Sequence, residues 1–124
     1  MMILVVDDHP INRRLLADQL GSLGYQCKTA NDGVDALNVL SKNHIDIVLS
    51  DVNMPNMDGY RLTQRIRQLG LTLPVVGVTA NALAEEMQRC LESGMDSCLS
   101  KPVTLDVLKQ TLSVYAERVR KARQ

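Results

Sequence analysis

The chain has no phenylalanine and no tryptophan, and only three tyrosines in 124 residues, so its core has to be built from Leu, Val, Ile, Met and Ala. An excess of charge of either sign is also missing. Fourteen Lys and Arg balance fourteen Asp and Glu, so no overall field recruits nucleic acid or a membrane surface. No apolar run approaches the ~18 residues that a bilayer-spanning helix needs, and no signal peptide is visible. Cysteine is scarce and odd in number. Cys27, Cys90 and Cys98 are widely spaced, with no C-x-x-C pair, and read as small core residues of a reducing cytosolic compartment rather than as disulfide partners or zinc ligands. Repeats, low-complexity segments and internal linkers are absent too. The length fits one domain, residues 1–124, burying roughly two-thirds of the surface of its unfolded chain.

What is present is organised around the stretch from Ile45 to Gly59. Its first half, Ile-Asp-Ile-Val-Leu, is apolar and β-branched, which suits a central strand of a parallel sheet, buried on both faces. It stops at Asp51, and a Pro-containing loop and the turn signal Asp58-Gly59 follow. Ile3 to Val6 reads as a second buried strand, ending in Asp7-Asp8. Tyr25 to Ala30, Pro74 to Thr79 and Asp96 to Ser100 complete five strands. Helices are expected over Ile11 to Leu23, with Pro10 in the first turn and Gly24 as the stop, and from Asn31-Asp32-Gly33 to about Ser41. Three more run over Asp58 to Leu69, over Leu83 to Ser93, and after the cap Thr104. In the last, Leu105, Leu108, Leu112, Tyr115 and Val119 step by 3, 4, 3 and 4 and form the expected core stripe. Strict alternation with short loops is the signature of an α/β doubly wound parallel sheet with helices on both faces. Right-handed crossovers in the order 2-1-3-4-5 bring the ends of strands one and three together at the switch point.

That topology puts Asp7, Asp8, Asp51, Thr79 and Lys101 on one rim, although they are scattered along the sequence. Clustered carboxylates raise one another's pKa unless a cation sits among them, and Mg²⁺, which favours oxygen ligands and keeps several waters, is the natural candidate. A carboxylate can attack phosphorus to give an acyl phosphate. Phosphoryl transfer asks mainly for in-line positioning and for charge compensation at the equatorial oxygens, which a hydroxyl, an ammonium and a divalent ion supply. No G-x-G-x-x-G or Walker loop for a nucleotide is present.

The motifs ILVVDD, IVLSD-VNMPNMDG, VGVTA and CLSKP resemble, in order and spacing over essentially the whole chain, the receiver domain of two-component signalling. The resemblance is strongest to the C-terminal receivers of hybrid sensor histidine kinases. It implies a flavodoxin-like, CheY-like fold with Asp51 as phosphoacceptor. Asp8, Asp51 and the backbone carbonyl of Asn53 are implied as direct Mg²⁺ ligands, and Asp7 as a ligand through water. Thr79 is implied to be the hydroxyl that moves towards the phosphoryl group, Lys101 its ionic partner, and Lys101–Pro102 a cis peptide. The family takes phosphate from a phosphohistidine and later loses it by hydrolysis. The implied partners are therefore a histidine kinase core and a histidine-phosphotransfer domain, met by a cytoplasmic receiver that is monomeric in isolation and belongs to a membrane-anchored parent.

One departure stands out. Where the family commonly carries Tyr or Phe, three residues before the lysine, this chain has Cys98. A thiol cannot fill or vacate the volume of a ring, so activation is expected to change the last helix face little. His9 reads as a residue at the start of the first helix beside a partner surface, and His44 as a solvated residue. Arg13 and Arg14 read as a solvated face. Ile11 and Leu15 fall to one side of the core stripe Leu16, Leu20 and Leu23. They extend apolar surface towards the active rim, as a docking patch or as a helix-start staple. The run from Arg118 to Arg123 suits the dipole at a helix end. An aspartate-nucleophile phosphatase of the haloacid-dehalogenase type shares the Asp, Thr, Lys and Mg²⁺ inventory. Its D-x-D pattern is broken here by Asn53, which cannot protonate a leaving group. A receiver that is never phosphorylated is the other alternative.

Overall fold

The computed structural model describes residues 1–81 and 83–122. Strand and helix alternate throughout: β1 (Met2–Val6), α1 (Pro10–Ser22), β2 (Gln26–Ala30), α2 (Gly33–Lys42), β3 (Ile47–Asp51), α3 (Gly59–Gln68), β4 (Val75–Thr79), α4 (Ala84–Glu92), β5 (Ser97–Ser100) and α5 (Leu105–Ala122). The sheet is parallel in every pairing and ordered β2-β1-β3-β4-β5. Successive side chains of a strand point to opposite faces, and the runs that are apolar at every position serve two cores. Leu4, Val6 and Val48 pack with Ala36, Leu62, Ile66 and Cys90 beneath α2, α3 and α4. Ile3, Val5, Ile47 and Leu49 pack with Leu16, Leu20, Leu108 and Leu112 beneath α1 and α5.

Register fixes the functional rim. Val6 pairs with Ser50, Asp51 with Val78 and Thr79 with Ser100, so β1, β3, β4 and β5 end nearly level. The residues that follow, Asp7 and Lys101, emerge beside Asp51 and Thr79. The helices start where their caps dictate. Pro10 opens α1, the Asp32 carboxylate accepts from Asp35 N–H at 2.8 Å and the Asp58 carboxylate from Arg61 N–H at 2.8 Å. Thr104 Oγ1 accepts from Val107 N–H at 3.3 Å at the head of α5.

Several boundaries lie a residue or two inside the sequence expectation, for reasons the hydrogen bonds make plain. Tyr25 does not start β2, because its N–H closes the end of α1 on the Leu20 carbonyl at 3.0 Å. Asp96 does not start β5: its carboxylate accepts from Val75 N–H at 2.8 Å and from Arg67 at 3.0 Å. Leu83 is the extended N-cap of α4 rather than its first turn. The stripe of α5 is fully buried only in its middle, with Val119 half-buried. Leu108, Leu112 and Tyr115 are buried but Leu105 is 41% exposed, because the helix meets the sheet only from Leu108 onward. Of the basic run, Arg120 and Lys121 occupy the last turn of α5, while Arg123 lies outside the described residues. Among the described residues, no helix is long and apolar enough to cross a membrane.

Arg67 ties the end of α3 to the lower edge of the sheet. Its guanidinium donates to the carbonyls of Gly94, Leu71 and Leu73 and to the Asp96 carboxylate, over distances of 2.7–3.1 Å. Charge-assisted bonds are worth more than neutral ones, and their loss strands acceptors in partly buried backbone. Arg67→Ala is expected to cost about 2–4 kcal/mol, read as a lowered urea midpoint with an unchanged m-value.

Candidate functional site

The rim collects its acids from two strand ends. β1 delivers Asp7, which is 1% exposed, and Asp8, which is exposed; β3 delivers Asp51, which is 7% exposed. One carboxylate oxygen from each of the three lies within 4.8 Å of the others. Lys101, from the end of β5, places Nζ 3.3 Å from Asp51 Oδ1 and 4.0 Å from Asp7 Oδ2. Backbone donors hold the acids in place. His9 N–H donates to Asp7 Oδ1 at 2.9 Å and Asn53 N–H to Asp51 Oδ1 at 3.3 Å. Lys101 is itself fixed by its N–H, which donates to the Thr79 carbonyl at 2.7 Å, and the Lys101–Pro102 peptide is cis.

Charge sets the behaviour of this cluster. Burial pushes the Asp51 carboxyl above its ordinary pKa; Lys101 pulls it back down, while Asp7 adds to the rise and the Asn53 N–H opposes it. Three carboxylates against one ammonium leave an excess of two negative charges when all are ionised. Such a set, oxygen donors only and half open to water at Asp8, fits a hard divalent cation.

Thr79, at the end of β4, is fully buried. Its hydroxyl is 3.3 Å from the Asn81 carbonyl and 3.5 Å from Glu86 Oε1, and accepts from Asn81 N–H at 3.1 Å. Cys98 does not stand alone where the family resemblance implies a ring. Its sulfur lies 3.1 Å from that of Cys90, and burial followed by the Cys90 hydrogen bond pushes its thiol up to about 12. Both are free cysteines.

Ile11 and Leu15 stand 72% and 56% exposed on α1. Leu15, with Asn12, Gln19, Lys101 and Pro102, lines a largely apolar hollow of ≈ 290 Å³ beside the acids. His9 is exposed. Sequence reasoning missed the parts played at the site by Arg13, Glu86, Tyr60 and Cys90. Arg13 is not simply solvated, because Nη1 donates to the Asp7 carbonyl at 2.8 Å. Glu86, Tyr60 and Cys90 form a polar chain behind Thr79, which no motif marks. His44 pairs with the buried Asp46 carboxylate at 2.7 Å, at the opposite edge of the sheet from the rim.

The pattern of the family described as the response regulator receiver domain matches residues 3–113. Over 123 residues the chain is 95% identical to the sensor histidine kinase RcsC of Escherichia coli K12, covering 99% of this chain and 13% of that protein. It therefore spans about an eighth of the length of that relative. The solution structure of the E. coli RcsC C-terminus containing the phosphoreceiver domain matches 100% of this chain and 93% of its own, with a TM-score of 0.84 at 94% identity. A receiver domain of the sensor histidine kinase PA1611 from Pseudomonas aeruginosa, with a magnesium ion coordinated in its active-site cleft, matches at a TM-score of 0.82 and 33% identity. That match covers 92% of this chain and 95% of the other.

Proposed function

The chain belongs to the response regulator receiver domain family, and from that premise we propose that residues 1–124 act as one phosphoacceptor unit. In this reading Asp51 takes a phosphoryl group from a partner's phosphohistidine with the help of Mg²⁺ and relays it to a histidine-phosphotransfer domain. The observation that carries the reading is the Asp51 carboxylate facing two further carboxylates within 4.8 Å and the Lys101 ammonium at 3.3 Å. In the transfer an Asp51 oxygen forms the new O–P bond as the P–N bond breaks, and the imidazole leaves as a neutral base once it gains a proton. Lys101 compensates charge on one equatorial oxygen. Thr79 can turn its hydroxyl to another. The residues that would hold Mg²⁺ are Asp8, Asp51 and the Asn53 carbonyl directly and Asp7 through water; when bound, the ion would offset the charge that the carboxylates and the phosphoryl oxygens bring together.

The relay partner is proposed to meet α1. Ile11, Leu15 and His9 border the acids, and the hollow beside Leu15 can accept an apolar side chain from a helical bundle. The resemblance to RcsC makes an RcsC-like kinase core and an RcsD-like phosphotransfer protein the partners to try first, with the receiver monomeric between encounters. Incubation with acetyl phosphate and Mg²⁺ tests the chemistry. A hydroxylamine-sensitive label confined to Asp51 is expected. Rapid turnover of many phosphate esters would instead indicate a phosphatase, and no label a binding module. Leu15→Ala tests the docking. It should slow transfer from the partner's phosphohistidine about tenfold, equivalent to ~1.4 kcal/mol of lost contact, and leave labelling by acetyl phosphate unchanged. Equal loss with both donors would show that Leu15 serves the fold rather than the partner.

A further inference from the structure

Behind Thr79 runs a chain of polar contacts that the phosphoacceptor chemistry does not use. Thr79 has a single hydroxyl proton, shared between the Asn81 carbonyl at 3.3 Å and Glu86 Oε1 at 3.5 Å. Both are long for an O–H donor, and weak bonds of this kind are surrendered readily to a better acceptor. Glu86 is also held from the other side, where the Tyr60 hydroxyl donates to the same Oε1. Tyr60 is 5% exposed, and burial, then the bond to Glu86, pushes its phenol far above the ordinary range. It stays a hydrogen-bond donor at any working pH. On the outer side the Arg89 guanidinium carbon lies 4.2 Å from the centre of its ring. Tyr60 is thus clasped by two residues of α4, Glu86 and Arg89.

That helix is lightly anchored. Cys90 is its only buried residue, so little apolar contact resists a shift of its first turns. Among the described residues the ring is the one aromatic group in contact with Thr79's partners, and it packs in the same core cluster as Cys90 and Cys98.

We propose that Glu86 is a positioning residue for Thr79 and that Tyr60 reports the state of that hydroxyl to the cleft between α3 and α4. The proposal rests on the phosphoacceptor reading above. While Asp51 is free, one carboxylate oxygen of Glu86 accepts from both hydroxyls. When the Thr79 hydroxyl turns to a phosphoryl oxygen on Asp51, Glu86 retains only Tyr60. The first turns of α4 then resettle against α3 with the ring and Arg89. The face that answers to phosphorylation is the ≈ 530 Å³ cleft lined by Asp58, Tyr60, Arg61, Gln64, Arg89 and Glu92.

The chain with ¹³C-labelled tyrosine rings offers three probes, Tyr25, Tyr60 and Tyr115, with Tyr60→Phe identifying the middle one. Beryllofluoride with Mg²⁺ supplies the acyl phosphate mimic, and the ¹⁹F spectrum reports its binding independently. The expected result is a bound fluoride signal with a shift of the Tyr60 ring and none at Tyr25 or Tyr115. Glu86→Ala should retain the bound fluoride and lose the Tyr60 shift; Glu86→Gln, which keeps a carbonyl acceptor, should restore it. Bound fluoride with a silent Tyr60 in the unmodified chain would overturn this inference alone, as would an undiminished shift in Glu86→Ala. Absence of bound fluoride in the unmodified chain would overturn the phosphoacceptor reading and this inference with it.

Discussion

Replacing Asp51 by asparagine should abolish phosphoryl uptake and, without a divalent cation, make the fold more stable. The first half follows because an amide does not attack phosphorus as a carboxylate does, and Asp7 and Asp8 issue from a different strand. Uptake should fall by at least about 10²-fold. The second half follows from the direction of the Asp51 shift. Burial raises its pKa most, Lys101 lowers it, and Asp7 raises it further. A carboxyl whose folded-state pKa lies above its unfolded value binds more protons folded than unfolded through the window between the two. Stability then falls as pH rises through that window and is flat on either side. Asparagine has no such slope. The gain should therefore be absent below the unfolded-state value and grow as pH rises through the window. Water at the mouth of the site screens part of the repulsion, so about 1 kcal/mol, or several degrees in Tm, is the expected size. Millimolar Mg²⁺ should reverse the order, because a ligand that binds only the folded acid-bearing chain stabilises that chain. Thermal unfolding at two pH values, in chelator and in Mg²⁺, reads all four cases. A variant less stable than the parent in chelator at pH 7 would mean that Lys101 more than offsets the burial of Asp51 and its repulsion by Asp7.

Sequence showed β1, β3 and β4 clearly because they are buried on both faces. A run such as Ile3-Leu4-Val5-Val6 has no polar residue to spare, and all four are fully buried. The acids, the hydroxyl and the amine stand directly at the ends of such runs, so topology alone could gather them. Helices α1, α2 and α3 were legible through Pro10, Asp32 and Asp58, whose cap chemistry is local. What escaped depends on how helices lie across the sheet. Glu86 and Tyr60 are 26 residues apart and meet only because α3 and α4 pack side by side. Cys90 and Cys98 share no spacing motif, yet the turn at Gly94 folds α4 back on β5 until their sulfurs touch at 3.1 Å. Arg13 lay on a face that periodicity marks as solvent, but its reach carries the guanidinium over the end of β1 to the Asp7 carbonyl. Leu105 failed in the opposite sense, since its place in the stripe was right and the helix is not yet over the core there.

Gly59 carries a requirement that the turn signal Asp58-Gly59 only hinted at. It is the first residue of α3 and is buried. A Cβ there would stand 2.4 Å from the Asp51 carbonyl oxygen and 2.9 Å from Val52 Cα. Those are backbone atoms at the end of the central strand, so no rotamer change relieves the clash. The glycine cannot easily retreat either: its N–H donates to the Val52 carbonyl at 3.0 Å and its own carbonyl accepts from Thr63 Oγ1 at 2.8 Å. Gly59→Ala must push the end of β3 aside, at a cost of about 3 kcal/mol or more. Because Asp51 sits at that end, its carboxylate moves relative to Lys101 and the acids of β1. Misplacement of order 1 Å in a reaction that depends on alignment costs about 10²-fold. Gly21, in α1, is the informative contrast, since a Cβ there meets nothing within 4 Å. Gly21→Ala should stabilise the helix by about 0.5–1 kcal/mol and leave labelling by acetyl phosphate unchanged. Urea unfolding and labelling rates of the two variants make the comparison. A Gly59→Ala chain that folds with near-parental stability and labels at the parental rate would mean that the end of β3 yields without moving its carboxylate, and the packing of α3 against that strand would then have no part in placing Asp51.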